Sequence, residues 1–235
     1  MSRSPDRPVA VVGGTGDLGF GLALRLAAAG RRVVIGSRSE DRGAAAAERA
    51  RGRLGRDAPV EGAENAAAVA GASLVFVTVP YAGQAETYRS IREALPDGVV
   101  VCDTTTPLAT AVGGRATHVL RPWHGSAAEQ AAALLPDAVR LVAGFHSVGA
   151  EALEELGRPV DADVLLCGAD AEAKAAVGEL VDLVPGLRWV DCGPLSMARV
   201  VEPLTAVLIA VNRRYGIRDA GVRVSGRDEW GRPAR

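Results

Sequence analysis

The 235-residue chain is almost without lysine: of its 27 cationic residues only Lys174 is not an arginine. A guanidinium stays protonated in a protein, whereas lysine can serve as acid, base or Schiff-base nucleophile, so lysine chemistry has little room here. Lys174 lies in DAEAKAAVGELVDLV, whose apolar spacing predicts an amphipathic helix with the lysine on the wet side. Aromatic residues are 4%, too few for a base-stacking platform. The formal net charge is -1, so no charge excess points to nucleic acid or an anionic membrane as partner. Cys102, Cys167 and Cys192 form no CxxC pair and sit in apolar runs, which predicts reduced core thiols in a cytoplasmic protein. His118, His124 and His146 lack metal-ligand spacing, so no metal site is expected. No apolar run approaches the roughly 18 residues of a membrane span, and the opening MSRSPDRP is polar.

With 48% hydrophobic residues the chain can bury a sizeable core. Apolar runs such as VAVV, SLVFVTV and GVVVCD are continuous rather than alternating, as in strands covered on both faces. They are separated by helical patterns, which predicts an α/β, Rossmann-type doubly wound, mostly parallel sheet. The expected division is a dinucleotide-binding domain over 1–150 and a smaller α/β portion over 151–235. The segment from Thr104 to Gly125 reads as loop, a long helix is expected from about Leu195 to Arg214, and both ends (Met1 to Pro8, and from about Ser225) read as disordered.

The first strand runs into Gly13-Gly14-Thr15-Gly16-Asp17-Leu18-Gly19 and then a helix. Gly14-x-Gly16-x-x-Gly19 fits the dinucleotide fingerprint: a tight turn, backbone approach to a pyrophosphate, and close helix–strand packing. Helix N-terminal amides then face the phosphates. NAD sites usually place a carboxylate at the end of the second strand; this chain has Ser37-Arg38 there, with Arg42 four residues on. A hydroxyl and guanidinium groups suit a 2′-phosphate, and Thr15 adds a second hydroxyl, so NADP(H) is the expected dinucleotide. The alternative is that Ser37 caps the next helix and both arginines are solvated.

No acid or base for carbonyl reduction stands out. Tyr-x-x-x-Lys is absent, because Ala85, Arg92 and Asp219 follow Tyr81, Tyr88 and Tyr215 at that spacing. The β-hydroxyacid dehydrogenases use a catalytic lysine and a large helical domain that this chain lacks. Direct hydride transfer between two cofactors fits a chain so equipped.

Val9 to Arg38 (VAVVGGTGDLGFGLALRLAAAGRRVVIGSR) resembles the opening of the F420-dependent NADP reductases. The resemblance extends to Val75–Pro80, to Phe145-His146-Ser147-Val148, and to Gly193-Pro194-Leu195-Ser196-x-x-Arg199-x-x-Glu202-x-x-Thr205. The last run is the most specific, since a generic Rossmann protein has no reason to carry it. What the resemblance implies is reversible hydride transfer between NADPH and the deazaflavin coenzyme F420. It implies a 2′-phosphate site at Thr15, Ser37 and Arg38, with Arg42 where a basic residue is expected, and Val79, Pro80 and Tyr81 flanking the cofactor. It implies a deazaflavin side lined by His146, Val148 and Ala150 and closed by Thr205 and the loop at Ala220-Gly221. His146 is then an orienting or polarising contact; a satisfied core histidine is the competing assignment. Pro203 and Gly149 depart from the pattern, where a small hydroxyl residue and a proline are expected. Such a mechanism is mainly positioning, because the cofactors carry the redox chemistry.

Met197, Val200, Val201, Leu204, Val207, Leu208 and Val211 form one helical stripe, which is either core or a homodimer interface. Two other functions fit the same dinucleotide site: an NADP-dependent reductase of another acceptor (flavin, imine or metal chelate), and a non-catalytic NADP-binding redox sensor.

Overall fold

The computed structural model describes residues 7–226. Six strands, β1 (Val9–Val12), β2 (Val33–Ser37), β3 (Val60–Glu64), β4 (Leu74–Val77), β5 (Val100–Asp103) and β6 (Arg140–Ala143), form one parallel sheet in the order β3-β2-β1-β4-β5-β6. Between them run α1 (Asp17–Ala28), α2 (Glu40–Leu54), α3 (Asn65–Ala70), α4 (Tyr81–Ile91) and α5 (Ala127–Ala132). This is the doubly wound arrangement that the alternating pattern predicts, with its topological switch between β1 and β4.

The inner strands β1 and β4 are apolar throughout, and β2 and β5 nearly so, because each feeds two cores. Val9, Val11, Ile35, Phe76 and Cys102 belong to the cluster on one face, and Ala10, Val12, Val34, Val77 and Val101 to that on the other. Beyond β6 come α6 (Ala150–Glu154), β7 (Ala162–Leu166), α7 (Ala171–Val181) and β8 (Leu187–Asp191), with β7 and β8 paired in parallel. An antiparallel bridge between Ala143 and Cys167 joins this small sheet to β6. Val164, Leu166 and Val177 share a core with Val9 and Phe20.

Three elements differ from the sequence-based expectation. The long final helix is interrupted: α8 (Ala198–Val201) stops before Pro203 and α9 (Leu204–Tyr215) starts after it. Proline lacks the amide needed to continue the ladder and its ring crowds the preceding turn. Lys174 is buried, not on the wet side; its ammonium pairs with Asp191 and donates to the Gly193 carbonyl. The Thr104–Gly125 loop contains a short 3-10 turn at Ala109–Val112 and an antiparallel bridge between Leu108 and Val119. Arg7 and Pro8 are held by hydrogen bonds to Gly71 and Ser73; the rest of the expected disordered ends, 1–6 and 227–235, lies outside the described residues.

Buried Arg25 ties the two halves together. Its guanidinium donates to the carbonyls of Leu153, Ala152, Glu155 and Arg158 at 2.7–2.9 Å, closing the C-terminal end of α6. Gly21 lets α6 come this close, since a Cβ there would stand 2.8 Å from the Leu153 Cβ. Arg25→Ala would strand several half-buried carbonyls; unfolding in urea should show a loss of about 2–4 kcal/mol.

Candidate functional site

The loops that leave the carboxyl ends of β1, β2, β4, β5 and β6 gather along one edge of the sheet, where doubly wound folds bind ligands. At its centre is the glycine elbow. Gly13 has φ +71° and Gly19 packs α1 against β4: a Cβ on Gly13 would stand 2.5 Å from Val79 Cγ1, and one on Gly19 2.3 Å from Thr78 Oγ1. The Thr78 hydroxyl in turn donates to Val12 O at 2.9 Å. Gly16 is different. It is exposed, a Cβ there would meet only Gly13 O at 3.6 Å, and it caps α1 without a side-chain acceptor. The first-turn amides of Asp17 and Leu18 are therefore open to a phosphate, with half-exposed Thr15 beside them.

Beside the elbow, Gly14 N–H donates to Gly36 O at 3.0 Å, bringing the end of β2 alongside. Ser37 is buried as the last residue of β2, while Arg38 and Arg42 are exposed. The N-cap of α2 is Ser39, so Ser37 is not spent as a helix cap. Neither Arg38 nor Arg42 pairs with a carboxylate among the described residues. The cluster has the composition of a phosphate site.

Val79, Pro80 and Tyr81 follow β4, with Pro80 exposed and capping α4. Tyr81 is not a free side chain. Its hydroxyl donates to Gln130 Oε1 at 3.0 Å, Gln130 Nε2 to Gln84 Oε1 at 2.9 Å, and Gln84 Nε2 to Asp103 Oδ2 at 3.0 Å. Asp103 also accepts from Tyr88 Oη at 2.7 Å and from Thr105 N at 2.8 Å. Burial raises the Asp103 carboxyl, and these donors oppose the rise. Gln84 and Gln130 carry no sequence signal, because polar residues 46 positions apart become partners only when α4 and α5 pack.

His146 sits just past β6 and is buried, with both ring nitrogens lacking a hydrogen-bond partner. The Thr105 backbone acts on the ring electrostatically, but neither nitrogen makes a hydrogen bond among the described residues. A satisfied core histidine does not look like this. The residue before it, Phe145, has φ +68°, a left-handed conformation that a bulky side chain adopts only under constraint. Its buried ring meets Phe76 edge-on at 5.5 Å, which holds the turn. The sequence offers no sign of this strain.

The Arg199, Glu202 and Thr205 motif is what docks the last helices on this edge. Arg199 forms a two-pronged ion pair with Glu129, both contacts at 2.7 Å. Buried Glu202 accepts from Ala127 N and Ala128 N, each at 2.9 Å. Burial lifts its carboxyl to about 8 against the pull of those two amides. Thr205 donates to His146 O at 2.8 Å, so its 2.9 Å contact with Thr106 must be donated by Thr106. Val148 and Ala150 continue from His146. The chain after α9 passes alongside: Ala220 N–H donates to Asn212 Oδ1 at 3.1 Å, and a Cβ on Gly221 would stand 3.5 Å from Ser147 O. Gly149 lets this strap approach, since a Cβ there would be 3.2 Å from Asp219 Cα.

Burial lowers the His146 pKa from 6.5 to about 4, so the folded protein holds the ring neutral. The unfolded chain binds a proton below 6.5 that the folded one refuses, so stability is full above 6.5 and falls as pH drops towards 4. Urea unfolding at pH 7 and pH 5 should show an acid loss about 2 kcal/mol smaller in His146→Phe than in the unaltered chain.

Residues 8–107 match the family model described as NADP oxidoreductase, coenzyme F420-dependent. The chain is 42% identical over 223 residues to the F420-dependent NADP reductase of Methanothermobacter thermautotrophicus, covering 94% of this chain and 96% of that protein. It is 39% identical over 220 residues to the F420-dependent NADP reductase of Methanocaldococcus jannaschii, covering 92% and 97%. A crystal structure from Arthrobacter sp. FB24 superimposes with a TM-score of 0.79 at 27% identity, covering 94% of this chain and all of that one. With near-complete coverage at this identity, the chain belongs to the F420-dependent NADP reductase family.

Proposed function

We propose that the protein transfers hydride reversibly between NADPH and coenzyme F420, the two cofactors lying directly against each other at the carboxyl edge of the sheet. The family supports the pair of cofactors. The observation that carries the arrangement is His146, a neutral, buried imidazole after β6 with no hydrogen-bond partner for either nitrogen among the described residues, its carbonyl held by Thr205 of α9. Both cofactors fit the residues present: open helix amides and free guanidiniums for NADP, and an orphaned polar ring among small residues for the deazaflavin.

When bound, the cofactors supply the hydride donor and acceptor. The chain's residues bind, orient and exclude water. The open amides of Asp17 and Leu18, beside Gly14, Gly16 and Gly19, would hold the pyrophosphate, and Thr15, Ser37, Arg38 and Arg42 would hold the 2′-phosphate. Val79, Pro80 and Tyr81 flank the nicotinamide, with Tyr81 kept in place by Gln130. His146 orients the deazaflavin through its unpartnered ring, beside Val148, Ala150, Thr205 and the Ala220-Gly221 strap. In this scheme residues 1–150 bind NADP, and the portion from 151 completes the cleft for the second cofactor.

The proposed working form is a cytoplasmic homodimer. Leu195–Tyr215 is long and apolar enough to cross a membrane, but it carries the buried Glu202 and ion-paired Arg199 that dock it on α5. Its outer face is uncovered: of α9 only Ala206 is buried, while Val200 and Val207 are 62% and 56% exposed. A second copy placing the same face against it would bury that stripe. Val207→Asp should shift the protein to monomer in sedimentation velocity while leaving the fold intact by circular dichroism.

Mixing the protein with NADPH and oxidised F420 should bleach the deazaflavin absorbance. In Arg38→Ala the apparent KM for NADPH should rise roughly tenfold or more while weak NADH use is little changed, as expected for loss of a charge-assisted contact worth about 1.5–3 kcal/mol. Reduction of free flavin with F420 untouched, or tight NADPH binding with no turnover, would refute the proposal.

A further inference from the structure

Away from the cleft, the small second sheet ends in two facing thiols. β7 and β8 run in parallel register with Leu166 opposite Asp191, and Cys192 N–H donates to Leu166 O at 2.8 Å. The next residue on each strand is a cysteine, Cys167 and Cys192. Neighbouring strands lie about 4.8 Å apart, within the Cα separation that a disulfide spans. Cys192 packs against the apolar cluster that contains Cys167, its thiol donates to Val190 O at 3.8 Å, and the two thiols act on each other electrostatically.

The surroundings are unlike those of an inert core pair. Cys167 is buried, whereas Cys192 is partly exposed and reachable by a small oxidant. The chain's single lysine lies beside them, its ammonium held by Asp191 and Gly193 O. Neighbouring Cys167 lowers the Cys192 thiol against burial and the Asp191 carboxylate, with a smaller pull from the Lys174 charge. Cys102 is different: it is fully buried in the main core, and burial together with neighbouring Asp103 pushes its thiol up.

We propose that Cys167 and Cys192 are a redox-active dithiol that a peroxide oxidises to an intramolecular disulfide. The Cys192 thiolate attacks one peroxide oxygen and the O–O bond breaks. Cys192 becomes a sulfenic acid, oxidised by two electrons, and the second oxygen leaves as hydroxide, taking up the proton lost from the thiol as water. The Cys167 sulfur then attacks the sulfenic sulfur, the S–S bond forms, the S–OH bond breaks, and a second water leaves with the Cys167 proton. The balance is two thiols and one hydrogen peroxide giving one disulfide and two waters. Cys192 opens the Gly193-Pro194 segment leading to α8 and α9, so the bond would tether the root of the helices that carry Glu202 and Thr205.

The test is peptide mapping by mass spectrometry after equimolar hydrogen peroxide and alkylation of remaining thiols. The expected product is a peptide pair joined through Cys167 and Cys192, short of two hydrogens, with Cys102 alkylated and the link reversed by dithiothreitol. Cys167→Ala should instead stop at the Cys192 sulfenic acid, trapped by dimedone, and circular dichroism checks that it folds. Oxidation of Cys192 in the unaltered chain with Cys167 still alkylated, oxidation of Cys102 first, or no oxidation where free cysteine reacts would each overturn the proposal.

Discussion

The approach of the glycine elbow and the first turn of α1 to Thr78 and Val79, just past β4, is the contact on which the site depends. Any side chain on Gly13 or Gly19 would collide with Val79 or Thr78, so these two glycines set how close the helix comes to the sheet. That closeness aims the first-turn amides along the carboxyl edge. It also leaves Gly16 as the member of the set facing open space. A helix held farther away would present the same amides to water rather than to a ligand lying across β1 and β4.

A second constraint is how the chain beyond β6 is fastened to the first part. Two buried polar side chains carry most of it: Arg25 gathers the carbonyls of α6, and Glu202 takes two amides of α5. Within the later part, fully buried Asp163 accepts from Arg188, Arg223 and Val224 N. Each is a desolvated ionisable group, tolerable only because partners fill its hydrogen-bonding capacity. The exchange is geometric: the fasteners bring Thr205 to the His146 carbonyl and lay the strap beside Ser147 and Gly149.

His146 stands apart from this pattern of satisfied groups. Next to it, Phe145 holds a left-handed backbone that its packing on Phe76 maintains. Strain and an unpartnered polar ring coincide at one point of an otherwise well-satisfied edge, and the proposed ligand-orienting role of His146 rests on that coincidence. The absence of a catalytic lysine follows the same logic. The sole lysine is locked against Asp191, and a transfer between two cofactors requires orientation more than proton chemistry.

Continuous apolar strands, the glycine spacing and the Ser37-Arg38 pair are local properties, so the doubly wound fold, the elbow and the expected preference for a 2′-phosphate were legible in the order of residues alone. Even the break at Pro203 has a local cause, although the expected helix ran through it. Burial of Lys174, the chain of amides from Tyr81 to Asp103, and the pairing of Arg199 with Glu129 were not legible. They join residues far apart in sequence whose polarity says only that they need partners, not which. Periodicity put Lys174 in water because it registers the helix's own faces; that β8 covers that face with a carboxylate is decided by packing. The sequence by itself determined the strands, the elbow and the motif residues, because these follow from neighbours along the chain. Only the tertiary structure decided what Arg199, Glu202 and Thr205 hold, because hydrogen-bond partners are chosen by proximity in space.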